Sequence, residues 1–366
     1  MKIGVDAGCL GINDERLKVG VYQVVKNLLI ELGKIDKKNE YLLYTFIPIQ
    51  KDLLKQFGPR MKNVLVTPAK GWMKIWLPLR LILDKPKVFL ALNQAAPFRF
   101  FISSYKIIGL FYDIAFERYP DFYSLGASVS KHKKNSQYLA KTADVLIAIS
   151  QKTKEDLIQI YKIPEETIIV SYPGFAIYPD NTHYAHKNPY FLFVGAFKKS
   201  KNIPTLMKAF EEFLQKSKKP YDLVLVGGDK WLDPEIEQIF NSLSFSTQKR
   251  IKMTGYVSDN KLASLYKEAA AFVSPSLYEG FGLPFVEAMH YGCPVIASDR
   301  GSLPEVIKDA GILVDPDNEK GLARALMKVT EPSKRKELIE KGKKRSTKFG
   351  WKMFANTVKS ELDQLA

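Results

Sequence analysis

Two carboxylates lie eight positions apart in the segment SLYEGFGLPFVEAM, residues 276–289, on either side of a glycine-rich run. Glu279 precedes the glycines, and Glu287 falls about one turn into the helix that Pro284 predicts, since proline suits a first helical turn. The glycines lack Cβ atoms, so backbone N–H groups can approach a ligand. A helix N-terminus favours an anion, and carboxylates accept hydrogen bonds from hydroxyls. The spacing therefore predicts a site for a nucleotide-diphosphate sugar.

Short apolar runs alternate with amphipathic runs along the chain, which predicts alternating strands and helices. Candidate strands in the first half are Lys2–Asp6, Tyr41–Phe46, Val64–Val66, Val88–Leu92, Lys106–Phe111, Val145–Ile149 and Ile168–Val170. Those in the second half are 190–197, 221–228, 251–256, 270–276, 294–298 and 311–314. A stretch rich in Pro, Gly, Asn and His, 172–190, separates the two series and is predicted to be a linker.

Strands that alternate with helices predict parallel sheets covered by helices. The expected fold class is α/β, with two facing doubly wound, Rossmann-like domains of similar size. Ligands of such sheets bind at the carboxyl ends of the strands, which places the expected site in a cleft between the domains.

The chain carries a net charge of +16, and much of the excess lies between Lys51 and Tyr112, with 11 basic and 2 acidic side chains. This window also contains Trp72 and Trp76. A basic and aromatic surface is typical of proteins that rest on anionic lipid, and it can also bind nucleic acid. A generally lysine-rich proteome is a third explanation. No recognised nucleic-acid-binding module is present, and no nucleic-acid partner is expected.

Within this window, the segment AKGWMKIWLPLRLIL, 69–83, has apolar residues at helical spacing. The apolar positions are Trp72, Ile75, Trp76 and Leu79, and the interleaved basic positions are Lys70, Lys74 and Arg80. Pro78 is expected to bend or end the helix. Two interpretations stay open: the stripe packs on the sheet of the first domain, or it lies on a membrane.

The remaining composition limits the classes of function. Two cysteines and no predicted leader or spanning segment favour a cytoplasmic protein, either free or on the inner face of the membrane. The four histidines are scattered, and Asp317 of the Asp-Pro-Asp run at 315–317 is interpreted as a turn or cap residue, so no metal or cofactor is expected. A nicotinamide or flavin enzyme is disfavoured, because Gly8 and Gly11 do not complete a dinucleotide-binding fingerprint.

The chain resembles retaining glycosyltransferases of family 4, which have the GT-B fold. The resemblance rests on the Glu-x7-Glu segment and on GCPVIASDRGSLPEV (292–306), GILVDP (311–316), VGAFKKSKNIPTLMKAF (194–210), GYVSDNKLASLY (255–266) and ADVLIAISQKTKEDL (143–157). GVYQVVKNLL (20–29), YDIAFERYPDFY (112–123) and the terminal FGWKMFANTV extend it. It implies an acceptor-binding domain, 1–175 with a crossing helix at about 351–366, and a donor-binding domain, 176–350.

The resemblance also implies roles for single residues. Glu279, Lys201 and Asp113 would act at the reacting centre: Glu279 on the donor sugar, Lys201 on the departing diphosphate and Asp113 beside the reacting carbon. The donor-binding positions would be Gly20, Lys199, Ser200, Tyr256, Val257, Phe281, Gly282, Leu283 and Glu287, with Glu287 on the ribose and Tyr256 and Val257 near the base.

Two positions depart from the family pattern. Many relatives have an arginine where this chain has Ala196 or Ser200, and a histidine at Tyr112. Lys198 or Lys199 would then supply the second cation, and the Tyr112 hydroxyl would replace the imidazole.

The implied reaction moves a hexose with retained configuration, and the leaving diphosphate takes up the acceptor's proton without a metal. The donor would be GDP-mannose or a UDP-sugar, with mannose favoured by the resemblance of SLPEV to mannosyltransferases. The acceptor would be a glycan or a lipid-linked glycan. The alternative is a non-catalytic relative that binds nucleotide sugars or scaffolds a glycan-assembly complex.

Overall fold

The structure is a computed structural model that describes residues 1–12, 14, 20–100, 104–122, 127–178, 186–228 and 233–365. It divides into two compact units. The first comprises Met1–Gly174 with Gly350–Ala366, and the second comprises Phe175–Phe349. No helix among the described residues is long and apolar enough to cross a membrane.

The first unit contains one parallel seven-stranded sheet. Its strands are β1 Lys2–Asp6, β2 Glu40–Thr45, β3 Met61–Leu65, β4 Val88–Ala91, β5 Lys106–Phe111, β6 Val145–Ala148 and β7 Ile168–Val170, in the order β3-β2-β1-β4-β5-β6-β7. Its helices are α1 Val21–Ile35, α2 Lys51–Phe57, α3 Leu77–Asp84, α4 Ala115–Arg118, α5 Ala127–Thr142, α6 Gln151–Tyr161 and the terminal α15 Trp351–Gln364.

The second unit contains one parallel six-stranded sheet. Its strands are β8 Tyr190–Gly195, β9 Asp222–Gly227, β10 Ile251–Gly255, β11 Ala271–Ser274, β12 Val295–Ser298 and β13 Gly311–Val314, in the order β10-β9-β8-β11-β12-β13. Its helices are α7 Ile203–Lys216, α8 Pro234–Ser242, α9 Phe245–Gln248, α10 Asp259–Glu268, α11 Leu283–His290, α12 Leu303–Ile307, α13 Glu319–Val329 and α14 Pro332–Ser346.

The predicted alternation of strands and helices is confirmed in both units. Each apolar run becomes a strand because side chains on both faces of a helix-covered parallel sheet are buried. β4 and β12, for example, are buried at every position. Residues 179–185 of the predicted linker lie outside the described residues, and the preceding positions 171–178 have no regular secondary structure.

Pro78 does not end a helix, which was one of its two expected effects. A π-helical segment, Trp72–Trp76, runs directly into α3, and Pro78 lies in the first turn of α3 instead of ending a helix. Its missing N–H has little cost there, because the first N–H groups of an α-helix have no acceptor within that helix.

Candidate functional site

The candidate site lies at the carboxyl edge of the second sheet, where glycines end three neighbouring strands, β8, β9 and β10. A Cβ atom at Gly227 would lie 1.9 Å from the carbonyl oxygen of Gly195, so this approach of β9 to β8 requires glycine. A Cβ atom at Gly195 would lie 3.8 Å from Cε of Lys201. The Lys201 side chain therefore passes over the bare end of β8.

Lys201 and Glu279 form an ion pair at this edge. The Nζ atom of Lys201 donates to Oε1 of Glu279 at 2.5 Å, and the Ser276 hydroxyl donates to the same oxygen at 2.8 Å. The two charged side chains are 23% and 16% exposed. Within the described part of the chain, Oε2 of Glu279 and two of the three N–H groups of Lys201 have no partner. The pair can therefore bind a hydroxyl and an anion at once.

The backbone of Glu279 is fixed by the segment that follows β12. Gly301 has a φ of +63°, and a Cβ atom there would lie 2.8 Å from the Glu279 carbonyl oxygen. The backbone N–H and the hydroxyl of Ser302 both donate to that oxygen, at 3.1 and 3.0 Å. The segment quoted as GCPVIASDRGSLPEV thus holds the catalytic candidate in place.

The loop that carries Lys201 is attached to the loop after β11. The N–H of Leu277 donates to the carbonyl of Ser200 at 2.8 Å, which fixes Ser200 beside the Glu279 loop. Lys199–Lys201 form a short 3-10 turn that ends at Asn202, whose φ is +52°. Lys198, which directly precedes this turn, and Lys199, its first residue, are exposed.

The glycine-rich run leads into α11 as predicted from Pro284. Gly282 caps the helix with a φ of +90°, and a Cβ atom there would lie 2.7 Å from the Leu303 side chain. Phe281 is buried against Phe349, with ring centroids 5.3 Å apart. In the first turn, Pro284 has no N–H and the N–H of Phe285 donates to the Gly282 carbonyl at 3.0 Å. The N–H of Leu283 remains, at the helix end that favours an anion.

Glu287 lies in a different environment from Glu279. Its side chain is buried, and it accepts hydrogen bonds from the hydroxyls of Tyr178 at 3.2 Å and Tyr266 at 3.1 Å. The backbone N–H of Ala176 also donates to it. Burial raises the pKa of the Glu287 carboxyl to about 7, although these three donors oppose the shift.

A second tyrosine contact fixes Tyr178. The Tyr291 hydroxyl accepts from the N–H of Tyr178 at 2.6 Å and donates to its carbonyl at 3.0 Å. The ring of Tyr291 stacks on that of Tyr266, with centroids 6.0 Å apart. Residues of the irregular segment 171–178 thus reach the predicted ribose carboxylate.

The positions predicted to lie near the base follow β10. Tyr256 is half-exposed, and Val257 is buried. The structure therefore leaves the tyrosine ring, and not the valine side chain, accessible to a planar ligand.

Gly20 and Asp113 lie in the first unit. Gly20 precedes α1 with a φ of +53°, and nothing lies within 4 Å of a Cβ atom built on it. The Asp113 side chain accepts a hydrogen bond at 3.0 Å from the N–H of Ala115, the first residue of the short helix α4. The Tyr112 hydroxyl donates to the Leu92 carbonyl at 2.9 Å, and burial raises its pKa well above the ordinary value. This hydroxyl is committed to the core and does not take the place of the family's histidine.

Among the described residues, no group of three or more His, Cys, Asp or Glu side chains could hold a metal ion. Asp315 and Asp317 both accept hydrogen bonds from Arg300, at 3.1 and 2.5 Å. Asn318, and not Asp317, caps α13 through its side chain.

Sequence reasoning gave no role to Ser276, Ser302, Tyr178 or Tyr266. Ser302 lies in the segment 292–306 and Tyr266 in the segment 255–266, both of which carry the family resemblance. Their place in these segments could have indicated a role at the site. Tyr178 falls in the segment interpreted as linker, where composition gave no reason to expect a contact with Glu287.

Known proteins match this chain in sequence and in fold. Residues 177–345 match the model of the family Glycosyl transferases group 1. O-antigen chain mannosyltransferase B of Escherichia coli is 27% identical over 263 residues, which cover 67% of each chain. O-antigen chain mannosyltransferase RfbU of Salmonella typhimurium is 31% identical over 186 residues, and this match spans about half of each chain, 51%.

Solved structures match over the whole length. Sucrose-phosphate synthase from Thermosynechococcus elongatus superposes with a TM-score of 0.75 and 19% identity, covering 100% of this chain and 98% of that one. Anabaena HepE in complex with UDP and glucose gives a TM-score of 0.73 and 18% identity, covering 100% of both. These superpositions show that the chain has the α/β GT-B fold. Over residues 177–345 the chain is similar to the family Glycosyl transferases group 1.

Proposed function

We propose that the enzyme transfers a hexose, with mannose as the first candidate, from a nucleotide-diphosphate sugar to a glycan acceptor with retained anomeric configuration. The observation that carries this proposal is the Lys201–Glu279 pair, 2.5 Å apart at the carboxyl edge of the second sheet. A cation for the leaving diphosphate and an acceptor for a sugar hydroxyl lie side by side there.

Lys201 acts on the leaving group. One of its three N–H donors is committed to Glu279, and two can bind diphosphate oxygens as negative charge develops on them. The positive end of the α11 dipole adds to this potential. Lys198 and Lys199 are exposed, lie close to Lys201 in the sequence and supply further positive charge.

Glu279 holds the transferred sugar through its unpartnered Oε2, while Oε1 stays on Lys201 and Ser276. Glu287 binds the ribose, and Tyr256 packs on the base. A carboxylate offers about four acceptor positions, and three donors already occupy Glu287. One position therefore stays open, and a ribose that donates both of its hydroxyls displaces one donor. Tyr178 is the candidate because it lies on an irregular segment.

In the reaction, the acceptor oxygen bonds to the anomeric carbon on the face from which the nucleotide leaves. The bond from that carbon to the diphosphate oxygen breaks, and the diphosphate takes up the acceptor's proton. Asp113 and Gly20 of the first unit serve the acceptor side and the diphosphate. The O-antigen mannosyltransferases among the relatives support mannose and a glycan or lipid-linked glycan acceptor.

The test is a panel of nucleotide sugars. The enzyme is incubated with GDP-mannose, UDP-glucose, UDP-galactose and UDP-N-acetylglucosamine, and release of the nucleoside diphosphate is followed with and without acceptor glycans. Preferred turnover of GDP-mannose supports the proposal. Preferred turnover of a UDP-sugar overturns the mannose assignment, and binding without turnover of any donor overturns the catalytic proposal.

A further inference from the structure

The helical run Trp72–Asp84 of the first unit has apolar side chains on the face that packs on the sheet and also on the opposite face. The inner face is buried: Trp72, Leu77 and Leu81 pack in the core against the sheet. The outer face is also apolar, with Ile75 48%, Trp76 39%, Leu79 45% and Leu83 76% exposed. An apolar face of a helix is normally buried against the rest of the protein. This one is not covered by the described residues.

The four outer side chains form one patch, here called the outer face. Trp76, Leu79 and Leu83 recur at intervals of three and four residues, which places them on one side of the helix. Phe98, 49% exposed, lies next to it, because its N–H donates to the carbonyl of Met73 at 2.9 Å. The structure divides the apolar stripe whose packing the sequence left open: Trp72 is buried in the core, and Ile75, Trp76 and Leu79 are exposed.

The rim of the outer face is basic. Lys70 and Lys74 flank it at one end and Lys85 and Lys87 at the other, and all four are exposed. The acidic side chain of α3, Asp84, is already engaged by Arg80 at 2.7 Å and by the Tyr44 hydroxyl at 2.9 Å. The lysines are therefore not neutralised by this carboxylate.

We propose that the outer face docks on an anionic lipid bilayer, with the apolar side chains in the interfacial region and the lysines on the headgroups. Exposed Leu and Ile beside Trp favour lipid over nucleic acid, which uses aromatic rings and backbone cations. A second copy of this chain is disfavoured, because two basic rims would meet in a protein of net charge +16. The Trp76 indole N–H donates to the Lys70 carbonyl at 3.2 Å, so its polar end is already satisfied.

The test uses the full chain and sedimentation with vesicles of phosphatidylcholine, with and without phosphatidylglycerol. Binding is expected only with phosphatidylglycerol and is expected to weaken with salt. The K70S/K74S variant should bind about 25-fold more weakly, at about fivefold per lysine, and the L79S/L83S variant should lose binding. Arg80 is left unchanged because it pairs with Asp84.

Matched controls come from the second unit. K218S/K219S removes two exposed lysines, and F245S/M253S removes two exposed apolar side chains. Both should bind vesicles like the unchanged protein, and all four variants should keep its melting temperature and its hydrolysis of a soluble nucleotide sugar. Brominated lipid should quench tryptophan fluorescence, and W76F should remove this quenching.

Three results would overturn the proposal. The first is an unchanged protein that does not sediment with anionic vesicles at physiological salt. The second is equal binding of the outer-face variants and the controls. The third is a change of oligomeric state in L79S/L83S without any lipid binding, which would make the outer face a contact between copies. Because donor hydrolysis is measured separately, failure here leaves the proposed sugar transfer untouched.

Discussion

Glu279 and Glu287 are the same residue type, eight positions apart in one motif, and the fold gives them opposite surroundings. Glu279 lies in a loop, partly exposed, with a cation at 2.5 Å and one oxygen without a partner among the described residues. Glu287 lies inside a helix, buried, with two tyrosine hydroxyls and a backbone N–H around it. The comparison shows that the surroundings of a carboxylate, and not its residue type alone, determine its protonation and what it can bind.

The largest effect is expected from Lys201, the cation that pairs with Glu279, and it is an effect on turnover. Lys201→Ala should lower turnover about 10²–10³-fold, because it removes positive charge from the position where the leaving diphosphate develops negative charge. Steady-state kinetics with the preferred donor measures this. Lys208→Ala is the matched control, since Lys208 pairs with Glu319 elsewhere in the same unit. If Lys198 and Lys199 compensate, the single change is mild and the triple change severe, whereas a triple variant with the unchanged rate contradicts the role.

The buried carboxyl of Glu287 should make the free energy of unfolding depend on pH. The folded protein holds the Glu287 proton up to about pH 7, whereas an unfolded chain releases it near 4.5. The resulting stabilisation is fully present below about pH 4.5 and is lost as the pH rises to about 7. It corresponds to about 3 kcal/mol. Glu287→Gln should remove this dependence, so the difference between the two urea-unfolding curves should change with pH. A constant difference from pH 5 to 8 would show that Glu287 is ionised throughout.

The ribose assignment is tested by binding alone. At pH 8, where the Glu287 carboxyl is ionised, Glu287→Ala should weaken binding of the free nucleoside diphosphate by about 1.5–3 kcal/mol, because a charged hydrogen-bond acceptor is lost. Titration calorimetry without any sugar measures the change. Glu279→Ala is the comparison, since Glu279 is assigned to the transferred sugar and should affect the nucleotide alone much less. Equal affinities of the unchanged protein and Glu287→Ala would refute the assignment.

A smaller effect on nucleotide binding should distinguish Tyr178 from Tyr266, the two tyrosines that donate hydrogen bonds to Glu287. Tyr178→Phe should tighten nucleoside diphosphate binding about fivefold, because the ribose no longer competes with one hydroxyl, a hydrogen bond of about 1 kcal/mol. Tyr266→Phe should weaken binding, because Tyr266 is fully buried and orients the carboxylate. Calorimetry on both variants measures this. Weaker binding in Tyr178→Phe would show that Tyr178 supports the bound ribose and does not compete with it.

No effect is expected from a chelator. The proposed site neutralises the diphosphate with Lys201 and the N-terminus of α11, and the described residues offer no cluster of metal ligands. Donor turnover should therefore be equal with and without EDTA. Activity that disappears with EDTA and returns with Mg²⁺ or Mn²⁺ would contradict the proposed neutralisation.

Local sequence determined the elements of this protein. The runs Lys2–Asp6 and 311–314 were predicted with the bounds that β1 and β13 have in the structure. The helix that follows the glycines was predicted from Pro284, and α11 begins one residue before it. These predictions succeed because period, capping and proline restriction act over a few neighbouring residues.

Only the tertiary structure decided which groups meet. The ion pair joins residues 78 positions apart, and the Tyr178–Glu287 hydrogen bond spans 109. The spacing of Trp76 and Leu79 fits burial and exposure equally well, and the packing of Leu77 and Leu81 on the sheet decided it. Periodicity fixes which side chains share a face of a helix, but the side that is buried depends on packing against distant parts of the chain.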